Sequence, residues 1–242
     1  MSTTSDHLQL NRGTAEPDRR AGPGRAAFVI ASVVFIATRF WRLDAFDFWA
    51  DEITTLQAVR GDWHALWAFM RMDVVHPPLF YLLLKVWIGV GADSSLWARF
   101  FPCLTAIATI APFYLLGREL NLRLGETGVA LALAAVNGYL IHYAQELRMY
   151  SLLLLLTVCS LWRFARFFNA ASGTTLAALM LVNLLLVYTH YFGWLVVGVE
   201  FIVLMFHGDR RLYWFCLGMA ALLVCFSPWI YIVSQAAGQK GG

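Results

Sequence analysis

The sequence predicts an all-α polytopic membrane protein, and three observations carry that prediction. Hydrophobic residues make up 60% of the chain and charged residues only 14%, against about a quarter charged in a soluble domain. The mean hydropathy is +0.64. The apolar residues are also gathered into runs of membrane-spanning length, parted by short polar turns. A formal net charge of +3, spread over scattered basic residues, gives no nucleic-acid surface. Cys103, Cys159, Cys216 and Cys225 lie inside apolar runs without metal or disulfide spacing, and read as small buried hydrophobes.

Residues 1–25 mix Ser, Thr, Asp, Pro, Gly and Arg without an apolar period, which predicts a flexible tail. The run 26–41 follows Arg19, Arg20 and Arg25 as a signal peptide would. Arg39, Phe40, Trp41 and Arg42, however, stand where small residues and a cleavage site should be, so it reads as an uncleaved first span. Further spans are predicted at 97–117, 127–143, 151–168, 175–189, 192–206 and 212–234, which makes seven with the first. The stretch 175–206 is twice the length of one crossing and should fold back near His190 to Gly193. The run 79–90 is short and carries Lys85, which suits an interfacial or re-entrant helix. Residues 26–242 thus read as one transmembrane module with a first outer loop at 42–96.

The basic residues test that topology. If 79–90 does not cross, then Arg12, Arg19, Arg20, Arg25, the loop 118–123, Arg163, Arg166, Arg210 and Arg211 all fall on one side. The positive-inside rule makes that side cytoplasmic. The segments 42–96 and 143–150, the His190 turn and 235–242 then face outward. Trp41, Trp49, Trp63, Trp67, Trp87 and Trp97 crowd the first of these segments, as headgroup-level helices require.

The polar residues of the outward segments are the candidates for chemistry. Asp51 and Glu52 are neighbours, which point about 100° apart on a helix and so need separate roles. One can act as general base while the other orients a group or holds a cation. The competing account is a helix start, with Asp51 as cap. His76 precedes Pro77 and Pro78, a pair that starts a helix and holds the imidazole in extended chain, free to donate to a phosphate or to sit idle at the interface. Arg148, in the motif from Gln145 through Glu146 to Tyr150, runs against the positive-inside trend; a phosphate ligand or an ion pair with Glu146 would explain it. Lys85 and Arg99 are weaker cations of the same kind, each also readable as a snorkelling interface residue. The turn 188–193, with His190 and Tyr191, either faces the same outer cavity as Asp51 and His76 or forms an aromatic-belt hairpin without a ligand. Glu200, alone mid-span, reads as a structural polar contact with Asn137 or Asn183 as partner. Walker, dinucleotide, zinc-ligand and Gly-x-Ser-x-Gly motifs are absent from the sequence, and no residue spacing supports a divalent metal.

In order, Asp51-Glu52, His76 to Tyr81, Arg99 to Pro102, Gly117 to Leu120, Gln145 to Tyr150 and Tyr188 to Gly193 resemble the motifs of the GT-C glycosyltransferases. The chain is most similar to the bacterial members related to protein O-mannosyltransferases and aminoarabinose lipid A transferases. That resemblance implies an inverting transferase of the bacterial inner membrane. It would take a sugar from a polyprenyl phosphate donor and pass it to a lipid, glycan or protein acceptor on the outer face. Asp51 would be the general base and Glu52 the positioning group. Arg148, with His76, Lys85 and Arg99, would hold the donor phosphate, while Tyr81, Glu146, Tyr150, His190 and Tyr191 line the substrate cavity. The resemblance leaves a divalent metal open as a cofactor, without a residue pattern that supports one. Members of the family usually continue for several more spans, so the alternative is a short subunit that binds a lipid-linked sugar carrier and needs a partner for its remaining helices.

Overall fold

The computed structural model describes residues 21–45, 47–91 and 94–240, and among them every regular element is an α-helix. The expected tail lies almost wholly outside the described residues. Its last five positions do not: α1 spans Ala21–Phe40, so residues 21–25 are helical rather than flexible. Pro23 suits a first helical turn, and Gly24 lets the helix approach a neighbour. A Cβ on Gly24 would lie 3.1 Å from the Gly125 amide, and one on Gly128 would lie 2.9 Å from the Phe28 amide. These glycines seat α1 on α7 (Leu124–Val136), the two running in the same direction.

Between them come the helices of the predicted outer loop, α2 (Ala50–Arg60), α3 (Trp63–Met72) and α4 (Leu79–Gly89). Each is about half the length needed to cross hydrocarbon. Trp87 and Trp97 close this loop at its base: their rings stack 4.2 Å apart, and each indole N–H donates to the other's carbonyl, at 2.9 and 3.1 Å. They are half-buried against each other, while Trp41, Trp49, Trp63 and Trp67 are exposed.

The chain then forms α5 (Ser95–Ala108) and α6 (Ile110–Glu119), which together make one apolar rod of 25 residues. α7 is followed by α8 (Gly138–Gln145) after a 65° bend. The bend falls at Asn137, whose side chain caps α8 by accepting from the Leu140 amide at 3.1 Å. α9 (Tyr150–Asn169), α10 (Gly173–Thr189), α11 (Gly193–His207) and α12 (Arg210–Lys240) complete the bundle. Gly193 makes the expected fold-back tight, since a Cβ there would meet Leu186 at 2.9 Å.

Among the described residues, four helices are long and apolar enough to cross a membrane, five if the bent pair is one span. α10 and α11, expected as two further crossings, are apolar but only 17 and 15 residues long. Val29, Ile30 and Val33 of α1, Leu133 and Val136 of α7, and Val224 of α12 are all exposed. Water would not tolerate apolar faces of this extent, and hydrocarbon does. The fold is that of a helical membrane protein. Cys103 is buried as expected, but Cys159 is half-buried and Cys216 and Cys225 are exposed. The latter two flank the buried stripe of α12 (Phe215, Leu222, Phe226, Trp229) on opposite sides, among apolar residues that have no protein cover.

Glu200 is 1% exposed and satisfied within the bundle. Asn183 Nδ2 donates to its Oε2 at 2.7 Å, and Ser160 Oγ lies 2.6 Å from its Oε1. Asn137 plays no part there, being committed to the α8 cap. The helix ends sort in the same way as the charges. Glu119 bridges to Arg166 at 2.9 Å, Gly24 abuts Gly125, and His207 packs on Phe168, so the basic turns collect at one end of the bundle. The starts of α2, α5 and α9 and the His190 turn collect at the other. Single cysteines replacing Asp44 and Arg123, in a background with the four native cysteines replaced, are expected to react with a membrane-impermeant maleimide from opposite sides. Labelling from one side would overturn this end-to-end arrangement.

Candidate functional site

The site is built around the start of α2. Trp49, in extended conformation, precedes the helix, and the Glu52 carboxylate reaches back to accept from the Trp49 amide at 3.0 Å. The cap is therefore made by Glu52, and Asp51 is left free of that duty. The other Glu52 oxygen accepts from the Leu147 amide at 2.7 Å, and Arg99 Nη2 stands 3.5 Å from Oε2. Glu52 is only 1% exposed, so one carboxylate joins α2, α5 and the turn before α9.

Asp51 points the other way, its side chain 74% exposed, onto a cavity of about 450 Å³. Arg148 lines the same cavity beside it. The guanidinium is buried, with Nη2 3.7 Å from Asp51 Oδ2 and 3.4 Å from His76 Nε2, and Nη1 3.4 Å from Thr55 Oγ1. These are long separations for hydrogen bonds, so the cation keeps donor capacity for an incoming anion.

His76 is itself held by a residue that the sequence did not single out. Asp73 ends α3, and its Oδ2 lies 3.6 Å from His76 Nδ1 and accepts from the Tyr81 hydroxyl at 3.0 Å. His76 holds the Asp73 carboxyl below its usual range, burial works against this, and Tyr81 adds to it. Burial, and then the Asp73 charge, push the Tyr81 hydroxyl up, so it stays a neutral donor. The spacing Asp73-x-x-His76, just ahead of the two prolines, was the available signal.

The remaining predicted residues divide. His190 joins the cluster, its ring 5.8 Å from that of His76 and 6.3 Å from Tyr150. Burial, then the neighbouring His76 and Arg148, hold its imidazole below the ordinary value. Its Nδ1 accepts from the Phe192 amide at 3.1 Å, which leaves the proton on Nε2. Tyr81 is fully buried behind Asp73 instead of lining the cavity. The Tyr191 hydroxyl donates to the Val74 carbonyl at 2.8 Å and accepts from the Trp229 indole at 3.0 Å, so it ties the loop before His76 to α12.

Lys85 is not brought to Arg148. Its ammonium donates to the carbonyls of Val59, at 2.9 Å, and Gly61, closing the far end of α2 about 12 Å along the helix from Asp51. Arg99 stands on the other side of α2 and donates to the carbonyls of Leu43 at 3.0 Å and Asp47 at 3.3 Å, with Phe48 4.4 Å beneath its guanidinium. Those bonds commit it to the loop after α1. Arg99, Glu52, Asp47 and Glu146 wall a second cavity of about 410 Å³. Burial raises the Glu146 carboxyl, with His142, 3.9 Å away, working against this.

Among the described residues no three His, Cys, Asp or Glu side chains converge as a metal site. Comparison with protein-family models, curated proteins and solved structures gave no match. The fold and the site therefore define a helical membrane protein with a carboxylate, a buried guanidinium and an imidazole facing one cavity at one end of its bundle.

Arg99→Leu leaves Glu52 buried without its counter-charge and is expected to cost about 3–5 kcal/mol in detergent unfolding. A loss below 1 kcal/mol would show that the pair is not structural. Asp73 contributes stability above the ordinary carboxylate range, and this is lost as pH falls through its lowered folded value. Asp73→Asn should flatten the acid limb of the stability profile while leaving the neutral region less stable. An unchanged acid limb would remove Asp73 from that role.

Proposed function

We propose that the chain is a membrane glycosyltransferase of the GT-C kind, moving a sugar from a polyprenyl phosphate to an acceptor hydroxyl. The observation that carries this reading is the single cavity faced by Asp51, buried Arg148 and His76. Transfer from a phosphate carrier needs two things of a protein. A base must take the proton as the acceptor oxygen attacks the anomeric carbon. A cation must receive the charge that builds on the phosphate as the sugar–oxygen bond breaks and its electron pair leaves with the phosphate. Asp51 supplies the first and Arg148, with His76 beside it, the second.

Inversion requires the sugar to stand between base and phosphate, and no sugar fits between groups 3.7 Å apart. Asp51 must therefore turn from Arg148 as donor enters, and its exposure gives it room. Glu52 acts as a positioning residue, because its bonds fix the helix start and the turn that present the other two.

In this reading the chain crosses the bacterial inner membrane with α1, α5–α6, α7–α8, α9, α10, α11 and α12. The short α10 and α11, about 25 and about 22 Å long, span by local thinning of the bilayer. The basic turns face the cytoplasm and the Asp51 cavity the outside.

Asp51→Asn in reconstituted vesicles is expected to lower transfer from a polyprenyl phosphate sugar by about 10²–10⁴ with membrane insertion unchanged. Wild-type turnover in that variant would overturn the assignment of the base. Donor retention without transfer by the unaltered chain would replace the enzyme with a carrier-binding subunit.

A further inference from the structure

At the end of the bundle opposite Asp51 lies a cavity of about 500 Å³, between the starts of α10 and α12. The proposed chemistry does not use it. Its rim is cationic: Arg210 and Arg211 open α12, and Ser172 and Gly173 open α10. Its floor is apolar, formed by buried Phe167, Leu176 and the half-exposed indole of Trp214.

The two guanidiniums differ in how far they are engaged. Asp209 takes the Arg211 Nε at 3.4 Å and the Arg211 amide at 2.8 Å, and Phe168 lies 4.8 Å under the guanidinium plane. That holds Arg211 in place and leaves its two terminal nitrogens, the pair that takes a phosphate in bidentate fashion. Arg210 is exposed and has no ion pair or hydrogen bond from its side chain among the described residues. The first amides of α10 have no intrahelical acceptors, and Ser172 caps only Thr175, at 3.2 Å. Gly173 adds no bulk at the mouth, with nothing within 4 Å of where its Cβ would be.

Two cations over an apolar floor match an anion with a hydrocarbon body. Below the rim, Tyr213, Trp214 and Leu217 continue the cavity as exposed apolar surface down α12. A free anion would use the rim and leave that surface idle. We infer that this cavity binds the phosphodiester headgroup of an anionic phospholipid between Arg210 and Arg211, with its acyl chains laid along α12. The inference is independent of the transferase reading.

The test titrates phosphatidylglycerol against the purified chain in detergent by native mass spectrometry, with phosphatidylcholine and inorganic phosphate as comparison probes. Phosphatidylglycerol should be retained in preference to phosphatidylcholine. Arg210→Gln should weaken that retention about fivefold, and Arg210→Gln with Arg211→Gln by about 25-fold. Arg123→Gln, a change to an exposed arginine on another turn of the same end, should leave it unaltered. Equal retention of the two lipids, an equal loss with Arg123→Gln, or displacement of phosphatidylglycerol by millimolar inorganic phosphate would each overturn the site. So would an Arg210→Gln variant that melts normally and retains phosphatidylglycerol like the wild type.

Discussion

A carboxylate taken almost completely out of water is costly unless every lone pair is answered, and Glu52 is answered from three directions. The Trp49 amide closes the start of α2, the Leu147 amide fixes the turn into α9, and Arg99 supplies the opposite charge from α5. Arg99 in turn gathers the carbonyls of Leu43 and Asp47, so the loop leaving α1 is bound into the same knot. The pieces joined are far apart in sequence, and the same elements also meet in one apolar cluster through Leu56, Ala98 and Leu147. Asp51 adjoins Glu52 itself and Arg148 adjoins Leu147, whose amide Glu52 holds, and their separation follows from it.

The adjacent acids therefore divide their labour by geometry. Helical pitch turns one into the bundle and the other onto a cavity, with the buried member acting as the fixture and the exposed one remaining mobile. The same division separates the cations. Arg99 and Lys85 spend their donors on backbone carbonyls at the two ends of the α2 region, whereas Arg148 has only long contacts. A cation with bonds in reserve, beside an imidazole and a movable carboxylate, is the part of the molecule suited to an anion that comes and goes.

Helix positions were legible in the sequence because apolar period and length are strong signals, and the breaks at His190 and after Arg118 came with them. The helical state of residues 21–25 was not, because Gly22, Pro23 and Gly24 look like a linker until α7 is there to receive them. The partner of Glu200 was readable only to a choice of two, and the Asn137 bend decided it. The gathering of Asp51, His76, Arg148 and His190 followed from placing outward segments together by charge. Asp73 escaped notice because a lone acid in a loop has no periodic neighbour, and its role exists only once His76 and Tyr81 arrive from either side. The posts of Lys85 and Tyr81 could not be read because both depend on the fold of one short loop against itself.

The Tyr191 hydroxyl has a mechanical consequence. It links the Val74 carbonyl, two residues before His76, to the Trp229 indole near the far end of α12. α12 is the longest helix and most of its surface has no protein cover. Two hydrogen bonds through one phenol therefore fasten this sparsely covered helix to one wall of the cavity. The loop that carries His76 is thus anchored to the last described helix of the chain.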